Sequence, residues 1–246
     1  MNKLSTDKVL DLLKKADGIF AGHFVYTSGK HAPRYLNKMA LFAHPLLASK
    51  MGKLFADKYK SKRIDVVVAP ALGGIVLAQW VAYHLSKLNK REVIAVYTEK
   101  DKGTSSSGAE SNQIFTRGYD KYVLGKNVLI VEDIVTTGIS VVKVVRAVKK
   151  AGGKVIEVCS MANINSKPKS ITDKLIGAKY SYLAELPVDL YDGKKCPLCG
   201  DNVPVNTNLG HGKKFVEERL KICIRFFQKL IIHYSLIVNH DKYSFL

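Results

Sequence analysis

With 246 residues the chain can bury a sizeable core without staples, and its four unevenly spaced cysteines argue against a disulfide framework. The formal charge of +18 raises nucleic-acid binding as a function, but the lysines are scattered and not clustered with aromatics. That pattern reads as a solvated surface with some steering of an anionic substrate, and nucleic acid is not the expected partner.

The first seven residues, Met1 to Asp7, are polar and helix-initiating rather than an apolar leader, so a reducing, cytoplasmic setting is expected. In chain order, Ser5 to Ala16 reads as a helix with Gly18 as its stop, and Pro45 opens a second helix with Leu46, Leu47, Met51, Leu54 and Phe55 as apolar positions. Ile64 to Pro70 is a strand, Gly74 to Leu88 a helix and Val93 to Tyr97 a strand. Gln113 to Tyr119 and Lys121 to Val123 read as the short strands of a hairpin. Val128 to Val131 is a strand and Ser140 to Ala151 its helix, with valines 141, 144, 145 and 148 on one face. Lys154 to Ala162 is a strand, Lys169 to Ile176 a helix and Lys179 to Ala184 a strand. This alternation predicts an α/β fold with a parallel central sheet flanked by helices.

The chemistry concentrates after Val128. Four apolar residues, as in a strand buried on both faces, run into Glu132 and Asp133, then into Ile134-Val135-Thr136-Thr137-Gly138 and a helix. Open α/β sheets bind ligands at the carboxyl ends of their strands. A hydroxyl-rich turn at a helix start suits a phosphate, and paired carboxylates suit the hydroxyl protons of a sugar. One βα unit earlier, Ala69-Pro70-Ala71-Leu72-Gly73-Gly74 ends a strand and opens a helix, with glycines that let backbone N–H groups approach an anion. Residues 100–112 form a polar glycine–serine stretch between two strands, the place for a lid.

The acidic segment resembles the phosphoribosyl-pyrophosphate (PRPP) signature of type I phosphoribosyltransferases. The resemblance implies that Glu132 and Asp133 hold the ribose hydroxyls, that Val135, Thr136, Thr137 and Gly138 hold the 5′-phosphate, and that Ala71, Leu72, Gly73 and Gly74 form the pyrophosphate loop. It implies a lid at 100–112 whose Lys100 and Lys102 meet the pyrophosphate, in some members across a homodimer, and a phosphate contact from Arg117. Magnesium would be held mostly through substrate oxygens, with Asp133 the side chain offered to it.

The segment from Gly22 to Lys38 is similar to the N-terminal hood of orotate phosphoribosyltransferases, the branch that joins PRPP to orotate. Tyr35 and Leu36 would then face the base, bordered by Thr27, Ser28, Lys38 and Thr136. After the strand ending near Ala162 the family usually carries Asp-Arg, the arginine reading the orotate carboxylate; here Ala162-Asn163 stands there. Asn163 would therefore meet the base without a charge, which keeps a purine or other heterocycle open as the acceptor. A PRPP-sensing regulator that binds nucleic acid is the reading from another class.

Cys196-Pro197-Leu198-Cys199 supplies two ligands where a structural zinc needs four, and His211 is the near candidate for a third. The same Cys-Pro-Leu-Cys recurs in the resembled orotate enzymes, so it speaks for kinship more than for metal. The expected organisation is a catalytic domain over 1–212, with a hood at about 18–44, and an apolar, basic helical extension over 213–246. That extension is too charged for a membrane span and is expected to pack on the domain or on a dimer partner.

Overall fold

A computed structural model describes residues 3–26, 28–101, 111–165, 167 and 170–241. Helix α1 (Lys3–Lys15) leads into a hairpin of β1 (Ile19–Val25) and β2 (His31–Leu36), then α2 (Lys38–Ala43), α3 (Pro45–Tyr59), β3 (Val66–Pro70) and α4 (Gly73–Asn89). Strands β4 (Ile94–Lys100) and β5 (Gln113–Ile114) precede β6 (Asn127–Val135), α5 (Ile139–Lys150), β7 (Lys154–Asn163), α6 (Asp173–Ile176) and β8 (Tyr180–Glu185). The chain closes with α7 (Pro197–Gly200) and α8 (Gly212–Asp241).

Two compact units result. The larger comprises residues 1–20 and 36–189, the smaller residues 21–35 and 190–246. The sequence boundary at 212 differs from this division because isolated bridges tie the hairpin to the segment after β8: His23 pairs with Val205 and His31 with Tyr191.

The larger unit holds a six-stranded sheet in the order β5-β4-β3-β6-β7-β8, parallel except for the antiparallel edge strand β5. Its central strands are buried on both faces: every residue of β3 is buried, as are Val128, Leu129, Ile130 and Val131 of β6. This is why they read as unbroken apolar runs instead of alternating ones. Helix α5 lays Val141, Val144, Val145 and Val148 on the sheet. Each such burial contributes on the order of 1.5–3 kcal/mol, so a charge at any of these positions would detach the helix.

Within the larger unit three expectations about its elements change. The hairpin at 113–123 is instead a two-residue strand followed by a 3-10 turn at Tyr119–Tyr122, because Arg117 and Gly118 both turn through positive φ and Tyr119 packs its ring 5.1 Å from Tyr97. The helix at 169–176 starts only at Asp173, where the Thr172 side chain accepts from the N–H of Leu175 and caps it. Strand β6 runs four residues past Val131, so the acid pair lies within the strand and not beyond its end. In the smaller unit, α8 runs over Gly212–Asp241. Its described side chains from Glu217 to Gln228 are exposed, Leu220, Ile222 and Ile224 among them.

Candidate active site

The sheet order reverses between β3 and β6: the chain leaves β3 toward β4 on one side and returns to β6 on the other. The carboxyl ends of two such strands diverge and leave a crevice for ligand. The register shows the opening. Pairing of β3 with β6 is recorded up to Val68 opposite Ile130, whereas β7 follows β6 to Asn163 opposite Val135. Glu132 and Asp133 therefore occupy the part of β6 beyond its pairing with β3, held by β7 alone.

Both acids are buried, Glu132 7% and Asp133 2% exposed. Asp133 Oδ1 accepts from Lys38 Nζ at 2.9 Å and from the N–H of Ile134 at 2.6 Å, while Glu132 Oε1 accepts from the N–H of Asp133 at 3.0 Å. Burial, and then the neighbouring Asp133 carboxylate, push the Glu132 carboxyl well above its usual range; Lys38 opposes them without cancelling them. The site thus holds two acids against one described lysine partner. It is short of positive charge and of hydrogen-bond donors, which a polyhydroxylated sugar or a cation would supply.

The two flanking loops suit anions. Helices α4 and α5 begin directly after the crevice strands, neither N-cap residue makes a side-chain hydrogen bond, the N–H of Ile139 reaches Thr137 Oγ1 only at 3.5 Å, and neither first turn carries an acid. Uncapped N–H groups and the helix dipole then favour a phosphate at each. Gly138 precedes α5 with φ +82°, a conformation that favours glycine. Thr136 offers its carbonyl to Asn165 Nδ2 at 2.6 Å, which fixes the turn, and Thr137 is exposed. In the other loop, Ala71 donates its N–H to Thr98 O at 2.8 Å and the Ala71–Leu72 peptide is cis. Gly73 lies directly against Asp133: a Cβ on it would overlap Oδ2. Of the pyrophosphate-loop candidates Ala71, Leu72, Gly73 and Gly74, Gly73 is the one that lies against the acid pair.

Other candidates are distributed differently. Lys38, placed by the resemblance at the border of the base, pairs with Asp133 from a position 95 residues away. Asn163 is fully buried; its Oδ1 accepts from the N–H of Asn165, and its Nδ2 has no hydrogen-bond partner among the described residues. Leu36 is buried in the larger unit, while Ser28 and Tyr35 belong to the smaller one, where Tyr35 packs against Phe24 and Tyr26. Lys100 is exposed at the end of β4, and Arg117 Nε lies 3.6 Å from Glu99 Oε2. Among the described residues no hydrogen bond or ion pair links either cation to the acids. Thr27, Lys102 and the rest of the lid candidate through Glu110 lie outside the described residues; the stretch is flanked by the antiparallel pairing of Lys100 with Gln113.

Comparison with known proteins gives the family. A family model described as the phosphoribosyl transferase domain matches residues 38–182. The orotate phosphoribosyltransferase of Caldanaerobacter subterraneus is 33% identical over 202 residues, covering 82% of this chain and 96% of the relative. The solved orotate phosphoribosyltransferase of Mycobacterium tuberculosis H37Rv superposes with a TM-score of 0.54 at 21% identity, over 73% of this chain and 97% of the other. The same enzyme in complex with PRPP gives 0.50 at 19% identity, over 76% and 92%. With its matched segment spanning the acid pair, both helix-start loops and Lys38, the chain belongs to the phosphoribosyltransferase family.

Proposed function

We propose that the protein is an orotate phosphoribosyltransferase: it transfers 5-phosphoribose from PRPP to a ring nitrogen of orotate, forming orotidine 5′-monophosphate and pyrophosphate. The observation that carries this reading is the buried Glu132–Asp133 pair between two uncapped helix starts at the switch point of the sheet. PRPP has the complementary layout, a phosphate at one end, a diphosphate at the other and two hydroxyls between them. The curated relatives' names supply the acceptor.

In this assignment the N–H groups of Thr137, Gly138 and Ile139, with the threonine hydroxyls, bind the 5′-phosphate. Glu132 and Asp133 accept the ribose hydroxyl protons and stabilise the positive character of C1 as its bond to the pyrophosphate oxygen lengthens. The 71–74 loop receives the leaving diphosphate, and the base nitrogen forms the new bond to C1. No side chain acts as nucleophile; positioning and electrostatics provide the acceleration. The oxygen-rich, under-compensated donor set around Asp133 fits Mg²⁺, which would neutralise the departing diphosphate while bound mainly through substrate oxygens and water. Lys100, Lys102 and Arg117 are proposed as further diphosphate contacts, and Tyr35, Leu36, Thr27, Ser28 and Asn163 as the base side. A cytoplasmic homodimer completes the proposal, and the exposed apolar side chains of α8 support self-association.

Pyrophosphate release measured with PRPP, Mg²⁺ and a panel of bases tests the acceptor. Turnover with orotate alone is the expected result. Turnover with a purine and none with orotate would transfer the assignment to another base, the outcome that the uncharged Asn163 would then explain. Salt-sensitive RNA or DNA binding without any turnover would point to a regulator instead.

A further inference from the structure

A second constellation lies in the smaller unit, and the PRPP chemistry does not use it. His23 on β1, His31 on β2, Cys196 before α7 and Cys199 within α7 each offer one ligand atom, and these four atoms lie within 4.8 Å of one another. The hairpin and the C-terminal segment meet here, so the histidines beside the Cys-x-x-Cys pair are His23 and His31 and not His211.

We propose that this cluster is a structural zinc site with a two-cysteine, two-histidine ligand set. The distances suit it. Cys199 Sγ lies 3.4 Å from His31 Nδ1 and 3.8 Å from His23 Nε2, and Cys196 Sγ lies 3.8 Å from His23 Nε2. A tetrahedron with metal–nitrogen bonds of about 2.0 Å and metal–sulfur bonds of about 2.3 Å has edges of roughly 3.3–3.8 Å. The two ring nitrogens are closer, at 2.7 Å, and would part by a few tenths of an ångström around an ion.

The proton inventory points the same way. His23 Nδ1 lies 2.8 Å from the carbonyl oxygen of Val203, which only accepts, so that nitrogen carries the proton and Nε2 presents a lone pair to the cluster. An imidazole whose other N–H is fixed by a backbone carbonyl is the usual support for a metal-bound histidine. His31 is fully buried, and its Nε2 has no hydrogen-bond partner among the described residues. At 2.7 Å from that His23 lone pair, His31 Nδ1 is the donor, and an ion held by both nitrogens would take the place of this proton. Two thiolates against one divalent ion leave the buried group neutral, and a mixed sulfur–nitrogen tetrahedron selects zinc over the oxygen-seeking magnesium. All four positions come from the chain, so the site is closed and its role is to staple β1 and β2 to the segment around α7.

The test uses the untagged, full-length protein purified without chelator. Metal analysis is expected to give about one zinc per chain, the stoichiometry of one closed four-ligand site. Cobalt added to the metal-stripped protein should give the spectrum of a tetrahedral ion with a thiolate charge-transfer band. Cys199→Ser and His23→Ala should lose the zinc, and Cys159→Ser, in the larger unit, should keep it. Should a variant fail to fold, the cobalt spectrum of the unaltered chain still decides. A protein free of zinc that gives no tetrahedral cobalt spectrum, or a Cys199→Ser variant that retains full zinc, would overturn the proposal.

Discussion

A buried acid pair and a single buried acid lie in the larger unit, on neighbouring strands, and they are compensated in opposite ways. Glu157 of β7 sits three residues down the register from the acid pair, opposite Leu129. Its carboxylate accepts from Lys62 Nζ at 2.6 Å, Tyr59 Oη at 2.7 Å and Ser181 Oγ at 2.6 Å, with Lys179 3.8 Å away. Burial alone would raise its pKa, but these donors outweigh burial and hold it below its usual range. Asp133 accepts from Lys38 and the N–H of Ile134, Glu132 from the N–H of Asp133, and Glu132 is pushed upward instead. A satisfied acid adds stability to the fold. A pair short of compensating charge costs stability and is retained where a ligand completes it, which marks a candidate site.

That contrast is broken most severely at Asp133. Asp133→Asn should lower turnover by about 10²-fold or more, the range for removing one preorganised electrostatic contact, while circular dichroism and melting temperature stay native-like. Gly73→Ala is next: its new methyl must displace the Asp133 carboxylate, and a shift approaching 1 Å costs up to about 10²-fold in kcat/KM. The helical content should be unchanged.

Stability measurements sharpen the same comparison. Glu157→Gln should destabilise the protein by about 1–3 kcal/mol, less than the full cost of breaking a buried pair because Lys62 is 37% exposed. The folded pKa of Glu157 is depressed, so its contribution is present above the unfolded carboxylate value and is lost as pH falls through the folded one. Denaturant melts from neutral to acid pH should show that loss in the unaltered protein and not in the variant. Glu132→Gln should act in the reverse direction and raise stability at neutral pH by about 0.5–2 kcal/mol while lowering activity. With a raised folded pKa, the wild-type contribution is fully present below the unfolded value and is lost as pH rises toward the folded one. The gain of the variant should therefore shrink on acidification.

How far these features are legible in the sequence depends on their range. Val128–Val131 and the α5 valines announce themselves because a doubly buried strand and an amphipathic helix each impose a local pattern. The acid pair and both loops follow from that frame, since a switch point is a consequence of strand order. The 3-10 turn at Tyr119–Tyr122 is not visible locally: its tyrosines favour strand, and the contact with Tyr97 that holds them lies elsewhere in the chain. Lys38 on Asp133 spans 95 residues, and Cys199 on His31 spans 168, so no window of sequence contains either pair. The Cys-x-x-Cys spacing was the sole local sign of the second constellation, and its histidines sit on a hairpin that carries no metal signature of its own.

Calorimetric titration of PRPP into the protein, with and without Mg²⁺, addresses the central assignment most directly. The account predicts a saturable, magnesium-dependent heat in the unaltered protein and a marked loss of affinity in Asp133→Asn. Absence of that heat in the unaltered protein, or undiminished affinity in the variant, would contradict it.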